Sequence, residues 1–274
     1  MVHVTGTPDR GAGAAVTAGG LGVKGSHGWA YRDVALTADP GALIAVEGPS
    51  GSGRTCLLLT LTGRMRPTTG EAAVGGFRVP RQMRHIRRIS ALAHVPGVTE
   101  LDPALTVAEH LRERALLQRR FGDSPRGLLR PRRERATASR AAIEAALTAA
   151  GLGLEALPKG ARTAVRDLER LEALRLSVAL ALISRPRLLA VDDTDLKLSD
   201  AERERAWALL REITESGITV LAVCSQAPEG AVVISTAADA RHNTQDDTQH
   251  DDRDDDHGDD EEGAADALAE TGHA

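Results

Sequence analysis

The sequence predicts an α/β fold, a parallel sheet covered by helices, with a helical subdomain inserted into it. Three observations predict it. Short apolar runs alternate with helix-length stretches, the pattern of a parallel sheet. One such run, Ala-Leu-Ile-Ala-Val at 42–46, passes straight into a glycine-rich loop. The middle of the chain, about 102–183, reads almost entirely as helix.

Each element follows from local chemistry. Residues 34–37 suit a short strand, and Asp39-Pro40-Gly41 is a turn. The run 42–46 is apolar throughout, as expected of a strand buried on both faces. Residues 55–63 read as a helix with Leu57, Leu58 and Leu61 along one side. Residues 70–79 predict a turn and a short strand, and 89–95 another strand. Thr106 caps a helix running to about Arg120, with Glu109 completing a capping box. The arginine-, glycine- and proline-rich stretch 121–137 reads as a loop. Helices are expected over 138–150 and 168–183. The run 187–193 is an apolar strand ending in Asp192 and Asp193. Ser199 and Glu202 form a second capping box before a helix over 200–216, and strands close the pattern at 218–224 and 231–235.

Composition narrows the class. The chain has 274 residues, 42% hydrophobic but only 2% aromatic, so its core is built from Leu, Val, Ile and Ala. The net charge of −5 hides an asymmetry. Residues 241–274 hold 13 acids against Arg241 and Arg253, a balance of −11, while residues 1–240 sum to +6. The segment 237–274 is too polar to bury a core and is expected to be a disordered acidic tail. Residues 1–20, rich in Gly, Ala and Thr, read as a flexible lead-in without a secretory pattern. Cys56 and Cys224 stand far apart in apolar surroundings, which is no disulfide framework and suits a reducing compartment. No apolar run approaches the ~20 residues that span a bilayer, so a role at a membrane is expected to pass through a partner.

The loop Gly48-Pro49-Ser50-Gly51-Ser52-Gly53-Arg54-Thr55 carries the chemistry. A phosphate-binding loop needs glycines that turn backbone N–H groups inward, a cation for the terminal phosphates and a hydroxyl for Mg²⁺. The following helix adds its N-terminal N–H groups and positive dipole end, so Cys56 is counted with the loop. Thr55 supplies the hydroxyl. Arg54 replaces the usual lysine, keeping the charge on a planar, bulkier group. Asp192 and Asp193 end the strand that lies beside such a loop, where an acid helps bind Mg²⁺. Thr55 and Asp192 are therefore the candidate metal residues.

The order of these features resembles the ATP-binding cassette (ABC) family over roughly residues 22–236. The loop at 48–55 matches its nucleotide loop. Leu105-Thr106-Val107-Ala108-Glu109-His110-Leu111 looks like the start of its helical subdomain, and 184–193, with Arg185-Pro186 leading in, like its magnesium-binding strand. The resemblance implies a P-loop (RecA-like) core sheet, an inserted α-helical subdomain at about 102–183 and a small antiparallel β subdomain. It implies ATP and Mg²⁺ as cofactors, a dimer of nucleotide-binding domains (homo- or hetero-), and a separate membrane permease. That places the chain in the cytoplasm at the inner membrane face.

The departures from the family pattern bear on hydrolysis. The catalytic glutamate is Asp193 here, one methylene shorter. The glutamine leading into the helical subdomain falls at His94, and the histidine after the last core strand at Ser225. The signature Leu-Ser-Gly-Gly-Gln falls at Leu168-Glu169-Arg170-Leu171-Glu172, which puts a carboxylate where the family binds phosphate. The expectation is an ATP-binding transporter subunit with slow hydrolysis. The alternative is a regulatory or scaffold protein that binds nucleotide without turnover. The arginines of 119–135 have a single aromatic among them, Phe121, too few for a base-stacking platform, so nucleic-acid binding is not expected. Trp29 and Tyr31 are the aromatic candidates for stacking adenine.

Overall fold

A computed structural model describes residues 13–26, 28–121, 131–195 and 197–236. Two sheets organise it. The first is parallel and built from β3 (Leu43–Glu47), β6 (Ser90–Leu92), β7 (Leu188–Val191), β8 (Thr219–Cys224) and β9 (Val232–Ser235), in the order β6-β7-β8-β3-β9. The second is antiparallel, in the order β2-β1-β4-β5, from β1 (Val16–Gly25), β2 (Gly28–Ala38), β4 (Thr69–Val74) and β5 (Phe77–Val79).

The apolar runs explain the layering. Side chains alternate across a strand, so β3 sends Leu43 and Ala45 to one core and Ile44 and Val46 to the other. β7 does the same, with Leu189 and Val191 on one side and Leu188 and Ala190 on the other. The first core includes α3 (Val107–Phe121), α4 (Arg132–Ala149), α5 (Arg170–Leu182) and α6 (Asp200–Glu215). The second joins the antiparallel sheet to α1 (Arg54–Leu61) and α2 (Met83–Ile89). The parallel sheet is thus covered on both faces, as its continuous hydrophobicity demands.

Several elements differ from their sequence reading. Val16–Gly25 is the strand β1, so residues 16–20, read as lead-in, sit in a sheet. Farther along the same strand Gly22 serves close packing, since a Cβ there would stand 2.7 Å from Thr69 Oγ1 and 3.0 Å from the Trp29 ring, whereas Gly19 and Gly20 leave open space around theirs. The stretch read as a strand from Ile89 begins instead with α2, and β6 covers only Ser90–Leu92. α4 begins at Arg132, inside the stretch read as a loop, because arginine is a good helix former. Both capping boxes form: Thr106 N donates to Glu109 Oε2 (2.7 Å), and Ser199 N to Glu202 Oε2 (2.9 Å). The expectations for residues 1–12, 122–130 and 237–274 lie outside the described residues.

Candidate nucleotide site

The loop between β3 and α1 takes the shape its glycines permit. Gly53 has φ +79°, and a Cβ there would clash with the Ala30 carbonyl on β2. Only glycine fits, by conformation and by space. Ser52 tightens the turn, its N–H (3.2 Å) and hydroxyl (2.8 Å) both donating to Pro49 O. Ser52 Oγ also meets Thr236 Oγ1 at 2.6 Å, tying the loop to the end of β9. Gly53 caps α1 without a side-chain bond, and the first turn holds no acid. The positive end of the helix therefore faces the loop with no acid of its own, which suits a bound anion.

Three elements converge beyond that end. Thr55 Oγ1 donates to Asp192 Oδ2 at 2.6 Å, joining α1 to the end of β7. Asp192 is buried, and its other oxygen accepts Asp193 N (2.9 Å). Burial pushes its carboxyl above the ordinary aspartate range; the Thr55 bond opposes this, and Asp193 adds to it. A buried carboxylate against a hydroxyl is an oxygen donor set of the kind Mg²⁺ takes. Among the described residues no cluster of three or more His, Cys, Asp or Glu is placed to hold a metal. An ion here would therefore share Thr55 and Asp192 with phosphate oxygens, the usual Mg²⁺ arrangement.

The remaining predicted residues gather at the same sheet edge. His94 follows β6, and its carbonyl accepts Asp192 N at 2.7 Å. Asp193 has φ +46°, a left-handed conformation uncommon for a residue with a side chain. Ser225 follows β8 immediately. Its hydroxyl donates to Asp195 Oδ2 (2.5 Å), and its N–H donates to the same carboxylate (2.9 Å). That hydroxyl proton is committed inward. Arg54 reaches across to the same place, with Nη1 donating to Cys224 O at 2.7 Å. The Cys56 thiol is held above its ordinary range by burial and then by Asp192, so it is a neutral thiol.

Sequence reasoning missed Asp195. The signal was the third acid in Asp192-Asp193-Thr194-Asp195, two residues past a strand that was already singled out. Tyr31, one of the two aromatic candidates for adenine, is withdrawn. It is fully buried, and its hydroxyl donates to Thr60 Oγ1 (2.9 Å). Trp29 stays partly exposed, with Lys24 Nζ 5.8 Å and Arg32 Cζ 5.9 Å from its ring centroid.

At the signature position, Glu169 is the N-cap of α5, and Glu169 and Glu172 form a reciprocal capping box. Glu172 Oε2 accepts Glu169 N at 2.8 Å. This helix end is occupied by carboxylates of the helix itself, whereas α1 has no cap side chain and no acid in its first turn.

The family profile described as ABC transporter matches residues 31–195. The chain belongs to the ABC transporter family. It is 31% identical over 182 residues to the Nod factor export ATP-binding protein I of Burkholderia pseudomallei, covering 66% of this chain and 53% of that protein. The protein of the same name from Cupriavidus pinatubonensis is 31% identical over 190 residues, covering 69% and 52%. The chain thus spans about half the length of the curated relatives it matches. Its fold is that of solved ABC cassettes. A dimeric bacterial ABC transporter cassette superposes with a TM-score of 0.61 at 21% identity, covering 81% of this chain and 94% of that one. The cbiO1 protein of Clostridium perfringens, part of an ABC transporter complex, gives 0.61 at 17% identity, covering 77% and 78%. The P-loop core, the helical insertion and the antiparallel sheet are therefore those of this family. No helix among the described residues is long and apolar enough to cross a membrane.

Proposed function

We propose that the chain binds ATP with Mg²⁺ at Gly48–Thr55 and Cys56, and couples it to a separate membrane permease at the inner membrane face, as one half of a homo- or heterodimer of nucleotide-binding domains. The observation that carries this reading is the 2.6 Å contact between Thr55 and Asp192. It brings together the hydroxyl and the carboxylate that a phosphate-bound Mg²⁺ needs, at the N-terminal end of α1. Mg²⁺ would neutralise charge on the phosphates and on Asp192. Arg54 would leave the Cys224 carbonyl for a phosphate oxygen, exchanging a neutral acceptor for a charged one.

Hydrolysis is proposed to be slow. Asp193 is the only carboxylate at the position of the attacking-water base, and it is one methylene short; a misplacement of ~1 Å can cost ~100-fold. Ser225 spends its one hydroxyl donor on Asp195. His94 has the chemistry to orient a water without the shape of glutamine. The Glu169–Glu172 box favours a second reading, a nucleotide-binding regulatory or scaffold subunit without turnover, since it denies phosphate the end of α5.

Calorimetric titration of ATP with and without Mg²⁺, alongside measured phosphate release, tests both readings. Micromolar Mg²⁺-dependent binding with slow release supports the transporter subunit. The same binding with no release supports the second reading. No binding at all overturns both.

A further inference from the structure

The excess positive charge of the body is concentrated. Residues 63–99 hold Arg64, Arg66, Arg78, Arg81, Arg84, Arg87 and Arg88 against the single acid Glu71, a balance of +6 that equals the whole excess of residues 1–240. Structure turns most of these outward. α2 docks by burying Ile86 and by stacking His85 on Phe77 of β5, ring centroids 5.2 Å apart. Arg78, Arg81, Arg84, Arg87 and Arg88 are all exposed. None of the five forms an ion pair with a described residue. Arg84 and Arg88, four residues apart, share one face of α2, and Arg81 lies in the turn just before it.

We propose that this arginine face is a docking surface for the acidic segment 241–274 of the same chain. Charge complementarity carries the assignment: −11 on the segment meets the +6 region. Chain geometry allows it. The described chain leaves the parallel sheet through β9 at one edge, and α2 leads directly into β6 at the other. Those edges are four strand spacings apart, about 19 Å. Residues 237–250 span about 46 Å when extended, so the acidic run starting at Asp251 reaches α2 around either end of the sheet. Docking is electrostatic, weakening as salt shortens the screening length from ~30 Å at 0.01 M to ~3 Å at 1 M. It needs no bound nucleotide, so it stands apart from the function proposed above.

The test uses the full chain. R84K and R88K keep the charge and add amines that a carbodiimide joins to carboxylates as amides, with loss of water. R133K samples the other basic run, and Lys24, Lys159 and Lys197 are internal references. Cross-link mass spectrometry is expected to join positions 84 and 88 to peptides of 241–274 at about 20 mM salt. Yield should fall at least fivefold at 500 mM and be independent of protein concentration. Cross-links from 84 and 88 only to body carboxylates would overturn the proposal. So would yields no higher than at R133K or the native lysines, or links that form only between copies. Circular dichroism of both variants controls for folding. Binding of the full chain to anionic phosphatidylserine vesicles, lost in R84E/R88E while cross-linking to 241–274 stays absent, would assign the face to a membrane instead.

Discussion

The carboxylate of Asp195 receives both the hydroxyl and the N–H of Ser225, clamping the end of β8 to the segment after β7. One bond farther, Arg54 grips the carbonyl of Cys224. Three elements are thus latched together where a terminal phosphate would arrive. Replacing Asp195 with alanine takes the acceptor from the hydroxyl and N–H of the exposed Ser225 and is expected to loosen Ser225 more than it destabilises the whole. Amide exchange at residues 224–226 should accelerate at least tenfold with a loss of about 1–3 kcal/mol, read by hydrogen exchange and denaturant melts. Unchanged exchange there would remove the latch.

Asp192 predicts a pH effect with a definite sign. Its carboxyl is held above the unfolded value, chiefly by burial. Its contribution to stability is therefore full at pH below the unfolded value and is lost as pH rises through the folded one. D192N removes a buried charge and should leave the nucleotide-free protein as stable or raise its Tm by about 2–4 °C per kcal/mol gained. It should also abolish Mg²⁺-dependent stabilisation by ATP. Because Mg²⁺ binds the ionised form, Mg-ATP binding at mildly acidic pH is expected to release protons, measurable by calorimetry in buffers of different ionisation enthalpy. D192N should cancel that release.

Gly53 is the residue least open to change in the loop. In G53A the side chain meets the Ala30 carbonyl and the backbone resists φ +79°. The strain costs about 1–3 kcal/mol, and ATP binding should weaken at least tenfold. G51A is the control: its φ is +83°, but nothing lies within 4 Å of the new Cβ. A smaller stability loss in G51A than in G53A is expected from thermal melts.

Turnover distinguishes the readings of Asp193. D193E lengthens the carboxylate arm and is expected to raise phosphate release about tenfold or more. D193N should change it less than tenfold if the wild type hydrolyses slowly. A ~100-fold fall in D193N would show Asp193 to be a competent base as it stands.

How much of this was legible in the sequence depends on whether the signal was local. The loop, the strand ending at Asp192 and both capping boxes rest on short-range patterns and were readable. α2 was not, because seven residues with a single fully buried side chain leave no helical period to detect. β1 was not, because its glycines look like flexibility from sequence, although one of them, Gly22, is needed for close contact with Thr69 and Trp29. Convergence at the site was half visible: residue types suggested Asp192 and Thr55, but the pairing of Asp195 with Ser225 joins positions thirty residues apart. Tyr31 shows the converse, since an aromatic plausible for a base turned out to fill the core.

Gly53 backs against the carbonyl of Ala30, and Ala30 belongs to the antiparallel sheet. The small sheet is thus the wall against which the phosphate loop is cast. A displacement of the β1–β2 hairpin by even half an ångström has no slack to be absorbed there and must move the first turn of α1. Whatever grips that hairpin from outside has a short mechanical route to the nucleotide, one that bypasses the helical subdomain altogether.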